Sequence, residues 1–480
     1  MDATSQGWTL SKALFLSYMA LSYVIGEIAH FLINTTSREV AREIQFGDQA
    51  CFVNKTRAAE LNSNASCTGY NETSCTEEPL CYWEYSGLGY EYQILAGPAF
   101  IGVFTVSAML LAVLSDFLYD KLSRTVLLAA GTFTFSSACI LMGLASQYWH
   151  LVILRGLIAM GESVCRPISG ALIAELFPPS SRGVANGIFS WGVYYGYGLA
   201  YVFGIYITEA DIAGYGWRAP YVLAGIPGLL ISVLLCFAVK DPRCSQVGES
   251  KQGSRSGGGL PYFKSLLRNF LSPSMIILLL AAFARHTAGL AWAYNTRLFF
   301  QTYYPDFDIV LWILCASVIG GSFGVFAGGF FSDRLVKHLG LPSRLWLLAL
   351  CTLLAAPLAV GTLYFPPPQA MYCLIAYYFL AETWFAVLFT VIVEIVDPEV
   401  RSTCIAIFLF CMNQVGGNLP IVVTPLSKTL GYRTAMYVMW PGSLTISSVL
   451  FLTASLPLII RQRRMRNELM NEPASDEKSD

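Results

Sequence analysis

Charge is what this sequence has least of. Only 13% of its 480 residues are Asp, Glu, Lys or Arg, against 55% hydrophobic residues. Soluble globular proteins carry about 25% charged residues, so charges this sparse exclude a set of soluble domains. Net charge is nearly absent as well: 30 basic and 31 acidic residues leave −1, which excludes the basic footprint of a nucleic-acid binder. No P-loop, HExxH or GxSxG run occurs. ATP hydrolysis and peptide or ester hydrolysis therefore lack their machinery, and neither a catalytic residue, a metal nor a cofactor is implied. What is plentiful is apolar sequence, with a mean hydropathy of +0.54. A helix crossing the bilayer needs about 20 apolar residues. The expectation is an all-α polytopic membrane protein.

Hydropathy places twelve transmembrane helices at 11–33, 93–115, 125–146, 150–175, 183–207, 219–239, 273–301, 309–331, 343–364, 370–395, 403–425 and 433–460. The first lacks a basic leader and a small-residue cleavage site, and Glu27 interrupts it, so it reads as a signal anchor. With a cytoplasmic N-terminus, nineteen Lys and Arg fall on the inner side and seven on the outer side. This is the positive-inside bias, and it puts both termini in the cytoplasm.

Thirteen cysteines are present, and four of them, Cys51, Cys67, Cys75 and Cys81, crowd one polar outer segment. The same region carries glycosylation sequons at Asn34, Asn54, Asn64 and Asn71. Clustered cysteines beside glycan acceptors point to an oxidising exterior and to two disulfides. A metal site is the other reading, but no histidine accompanies them. Three pairings are open.

The chain repeats itself. Asp120-Lys121 recurs as Asp333-Arg334, and E-x-x-x-P-x-x-R occurs at Glu175 to Arg182 and again at Glu394 to Arg401. Gly216-Trp217-Arg218 and Pro227-Gly228 are echoed by Gly431-Tyr432-Arg433 and Pro441-Gly442, all at offsets of 213–219. Two parallel six-helix halves imply a pseudo-twofold transporter with its site at their interface. The expected organisation is a bundle over 1–239 that includes the outer loop 34–92, a cytoplasmic linker over 240–272, a second bundle over 273–460 and a cytoplasmic tail over 461–480. Within the linker, 248–259 is Gly/Ser-rich, and Phe263, Leu266, Leu267 and Phe270 share a helical face beside Lys264 and Arg268. That suits an interfacial helix; a solvated linker helix is the plainer reading.

These residues resemble the major facilitator superfamily across essentially all twelve spans. Its G-x-x-x-D-R-x-G-R loop is matched by Gly329, Asp333 and Arg334, and more loosely by Asp120, Lys121 and Arg124, with Asp116 at the first-half glycine position. Arg155-Gly-Leu-Ile-Ala-Met-Gly161-Glu162 is similar to the R-G-L-x-G-x-G-E run of spinster-like transporters. That group redistributes lysophospholipids and sphingosine 1-phosphate, and some members are proton-coupled. Its first helix usually carries an Asp-Arg pair, where this chain has Gly26-Glu27, and the long cysteine-rich outer loop is unusual for it.

Ionisable groups inside spans are costly and mark pathways. Arg155, Glu162 and Arg166 fall within about 40° on one helix face; an internal Glu162–Arg166 salt bridge is the alternative. Tyr23, Glu27 and His30 share a face of the first span, where His30 either bonds a carbonyl or relays protons with Glu27. Arg285 and Trp292 share a face of the seventh span, and Glu382 answers to Glu162 at an offset of 220. Substrate binding or coupling is expected from Glu27, His30, Arg155, Glu162, Arg166, Arg285, Trp292 and Glu382. Gating at the cytoplasmic surface is expected from Asp120, Arg124, Glu175, Arg182, Asp333, Arg334, Glu394 and Arg401. The leading reading is a secondary transporter of an anionic amphiphile in the plasma membrane, with the endolysosomal membrane as the second location. A carrier of small organic anions or sugars, and a non-transporting receptor or scaffold, are the alternatives.

Overall fold

The computed structural model describes residues 9–60, 67, 69–117, 123–177, 179–238, 260–397 and 400–471. The first helix, α1 (Leu10–Ile44), starts where the Thr9 hydroxyl accepts from Lys12 N and stops at Gln45, whose left-handed backbone (φ 63°) returns its N–H to Ala41 O. It runs eleven residues past the expected end of the first span. Thirty-five residues extend about 50 Å, beyond the roughly 30 Å hydrocarbon core. The extra turns hold because Ser37, Val40 and Ala41 are buried.

The polar segment after α1 contains the only sheet among the described residues. Strand β1 (Asp48–Val53) pairs antiparallel with β2 (Cys81–Leu88), Cys51 opposite Trp83. Two short helices, Lys55–Glu60 and Glu72–Glu77, lie between them. Of the three possible pairings the fold uses Cys51–Cys75 and Cys67–Cys81. Gly87 (φ 77°) seats β2 on α1: a Cβ there would lie 2.8 Å from Arg38 N and Cα.

Ten helical stretches among the described residues are long and apolar enough to cross a bilayer. This is a multi-pass membrane protein. The expected spans at 150–175 and 183–207 are present as shorter helices in series. The former is α2 (Tyr148–Glu162) followed by α3 (Cys165–Leu176). Pro167 lacks an N–H and its ring collides with the carbonyl four residues back, Ser163, so the helix yields there. The latter comprises Pro179–Ser190, α4 (Gly192–Tyr201) and a π-helical turn over Val202–Ile207. In the second half, α5 (Pro273–Tyr303) is continuous, while the tenth expected span breaks between α6 (Gln369–Ala381) and α7 (Trp384–Ile395). The two breaks, at Glu162 and at Glu382, stand at the offset of the sequence repeat. Wide π turns also recur, at Pro98–Gly102 and Ala316–Gly321.

The chain forms two compact units. The first comprises residues 1–252, 289–318 and 417–436; the second comprises 253–288, 319–416 and 437–480. The core of the second is built on Met275, Leu278, Leu345, Leu348, Trp384, Val391, Val400, Phe408 and Phe451. In the first, α1 is the hub: Phe15, Met19, Ala29, Leu32 and Ile33 are all within 2% of full burial.

Candidate functional site

Glycine shapes the first cluster. A Cβ on Gly26 would come within 3.0 Å of Glu162 Cγ and 3.2 Å of its Cδ. Glycine there lets the Glu162 carboxyl lie against α1, beside Glu27 and His30. His30 Nδ1 is 3.5 Å from Glu27 Oε2, and one ligand-capable atom each from Glu27, His30 and Glu162 lie within 4.8 Å of one another. All three are buried, with relative exposures of 7%, 6% and 2%. Glu162 Oε2 and His30 Nε2 have no hydrogen-bond partner among the described residues. Two carboxyls so close in a water-poor site repel if both are ionised.

Arg155 supplies the nearby positive charge. It is fully buried, with Nε donating to Leu95 O (3.0 Å) and Nη1 to Ala29 O (3.3 Å). Phe100 touches both His30 and Arg155: the His30 ring stacks on it at 3.7 Å, and the Arg155 guanidinium is 4.5 Å from its centroid. Arg166 flanks the same cluster from beyond the break, within electrostatic range of Glu27 and Glu162. It is exposed, and its Nε donates to Tyr23 Oη at 2.8 Å, while Tyr23 stacks on Phe189. The single stripe expected on an unbroken helix thus divides at the Ser163–Val164 break into one buried and one exposed arginine.

The second cluster lies at the other break. Arg285 Nη2 is 3.7 Å from Glu382 Oε1 and donates to Ala381 O at 2.6 Å. Its guanidinium sits 4.9 Å from the Trp384 ring. Arg285 is 2% exposed and its Nε has no hydrogen-bond partner among the described residues; the Glu382 side chain is 22% exposed. Trp292 does not join this cluster. It belongs to the first unit, with Phe299 and Phe300 each at 6.1 Å.

At the expected inner surface, Arg124 pairs with Glu175 within the first unit. In the second, the organiser is Arg344, a residue the sequence reading left out of the gate. It is 7% exposed and reaches Ser332 (2.6 Å), Asp333 (2.9 Å) and Glu394 (3.0 Å). The repeat could have found it, because Arg344 stands 220 residues after Arg124. Arg334 instead lies over the Phe330 ring and Arg401 donates to Val396 O. Asp120 and the Arg182 side chain lie outside the described residues.

The first unit also contains contacts that no sequence motif announced. Tyr92 Oη donates to the Tyr294 carbonyl, and Gln93 Nε2 donates to Asn295 Oδ1 (3.2 Å). Tyr432 Oη donates to the same Asn295 Oδ1 (3.2 Å), and Lys428 pairs with Asp48 at 3.0 Å. The bonds of Tyr92, Gln93 and Asp48 tie the first sequence half to the second within this unit. Asn34 is 1% exposed and lies within 3.3 Å of Tyr92 Oη, so the folded chain has no room for a glycan there. Asn71 is exposed and Asn54 half-buried; Asn64 lies outside the described residues.

A family model described as Major Facilitator Superfamily matches residues 87–420. Protein spinster of Drosophila melanogaster is 26% identical over 347 residues, 68% of this chain and 55% of that protein. The mouse sphingosine-1-phosphate transporter SPNS2 is 31% identical over 171 residues, 35% of this chain and 30% of that one. The chain therefore spans between about a third and just over half the length of these curated relatives. In structure it is similar to a bacterial homolog of the human lysosomal transporter spinster, in inward-facing and unoccupied conformation. The TM-score is 0.67 at 18% identity, covering 94% of this chain and 98% of that one. The chain belongs to the Major Facilitator Superfamily, a family of transporters rather than enzymes, and is homologous to the spinster proteins.

Proposed function

We propose that this protein is a secondary transporter of an anionic amphiphile, of the lysophospholipid or sphingosine 1-phosphate class, working by alternating access with protons as the coupling ion. In this reading residues 1–239 and 273–460 are two pseudo-symmetric six-helix bundles that rock about the site, in the plasma membrane. The observation that carries it is the burial of Glu27, His30 and Glu162 together beside Arg155, with Arg285 and Glu382 at the equivalent break. A transporter needs groups that change charge state and groups that hold an anion, and these supply both. Arg285 receives the anionic head group, exchanging its Glu382 partner for it. A proton taken up by the Glu27–Glu162 pair relieves the repulsion between the carboxyls and travels linked to substrate. The similarity to the sphingosine-1-phosphate transporter and spinster supports the substrate class.

Purified protein in proteoliposomes tests this. Glu162→Gln should bind lysolipid as the wild type does but lose the pH dependence of transport, and Arg285→Ala should lose binding. Transport by Glu162→Gln with the wild-type pH profile would reduce the cluster to structural packing. Thermal stabilisation by sugars or small organic anions but not by lysolipids would overturn the substrate class.

A further inference from the structure

The helix Leu260–Phe270 lies in the linker, ahead of α5. One of its faces is committed to the protein. Leu266 is buried in the core of the second unit, Tyr262 Oη is 2.7 Å from the Thr403 hydroxyl, and Asn269 Nδ2 donates to Asp397 Oδ2 at 2.8 Å. A second face is bare. Phe263, Leu267 and Leu271 are 56%, 41% and 58% exposed. At about 100° per residue these three fall within about 80° of arc, and Lys264 and Arg268, both exposed, continue round the same side. The docked residues occupy the adjoining arc on the other flank. A wholly solvated linker helix would not place three large apolar side chains together in water.

Position in the chain identifies the occupant. Only Leu271 and Ser272 separate this helix from Pro273, where α5 begins, and α5 is of spanning length and hydropathy. The helix is therefore held at the edge of the hydrocarbon layer by its own covalent connection and by its docked face. An amphipathic helix at that depth lays its apolar residues at the acyl boundary, and its cations meet acidic head groups of the cytoplasmic leaflet. We propose that Phe263, Leu267 and Leu271 insert into the inner leaflet and that Lys264 and Arg268 bind acidic phospholipid head groups, making this helix a lipid-binding surface separate from the transport site. Through Asn269 and Asp397 it also touches the loop between Glu394 and Arg401.

The test uses the full chain, with non-disulfide cysteines replaced, carrying Leu267→Cys labelled with a nitroxide in nanodiscs of phosphatidylcholine alone or with phosphatidylserine. The label should be more accessible to oxygen than to a water-soluble nickel chelate. Wild type should retain at least threefold more phosphatidylserine than phosphatidylcholine by native mass spectrometry. Lys264→Gln with Arg268→Gln should abolish that preference at an unchanged melting temperature. A label as accessible to nickel chelate as in water, equal retention of the two lipids by wild type, or protection of the helix by a co-purifying protein would overturn the proposal. None of these readouts depends on transport, so failure here is distinct from failure of the proposed function.

Discussion

Gly196 packs directly on Glu27. A Cβ at 196 would overlap the Cβ of Glu27 and stand 2.9 Å from the Val24 carbonyl oxygen. The absence of a side chain on α4 is what lets α1 carry a carboxyl at its most crowded point. Gly196→Ala would ordinarily favour a helix by up to about 1 kcal/mol, but here it forces two backbones apart. The expected outcome is a net loss of about 1–3 kcal/mol and a displaced Glu27. A melting curve in detergent reads the first and proteoliposome flux the second; an unchanged melting temperature would mean that the interface has slack.

Glu382 pairs with Arg285 at 3.7 Å. If an anionic head group displaces that carboxyl, then Glu382→Gln should bind lysolipid several-fold more tightly, because the guanidinium no longer has an ionic partner to surrender. Transport should slow, since release is no longer assisted. Calorimetric titration of the purified variant checks the affinity. Weaker binding would assign Glu382 to substrate contact instead.

Arg344 ties the inner ends of three helices within the second unit. Its Asp333 partner is 70% exposed, so that pair contributes little. The bonds to Ser332 and Glu394 are better shielded, and losing charged hydrogen bonds costs about 2 kcal/mol. Arg344→Ala should therefore lower the melting temperature by several degrees, and Asp333→Asn should barely move it. Equal effects from the two would place the weight on the exposed pair.

The outer sheet depends on its staples. Cys51–Cys75 and Cys67–Cys81 are 24 and 14 residues apart in sequence, and closing loops of about 15 residues stabilises by about 3 kcal/mol each. Cys67→Ser should open the segment to trypsin at Lys55 and Arg57 while the membrane helices stay intact on gels. Cleavage at the wild-type rate would show that β1–β2 pairing suffices.

Much of the fold was legible without coordinates. Bilayer thickness imposes a span length, and backbone groups in lipid demand helices, so hydropathy reads helix positions almost directly. Most expected spans match helices in place. The misses have local causes: α1 overran its span because its outer turns are buried, and Pro167 divided the fourth span. The sheet was missed because outside the membrane no such solvent constraint applies.

The sequence by itself determined the solvent of this protein, the positions of its helices, the internal repeat and the set of intramembrane charges. Composition and periodicity are one-dimensional properties, and the bilayer converts them into structure with little ambiguity. Tertiary structure alone decided which charges meet. Glu162 is 135 positions from Glu27, and the missing side chain of Gly26 leaves room for the two to meet. The cysteine pairing, the burial of Arg155 but not of Arg166, the three-way contacts of Arg344 and the burial of Asn34 depend on how helices rotate and how closely they approach. Those angles follow from many small packing contacts acting together, and no short motif carries them.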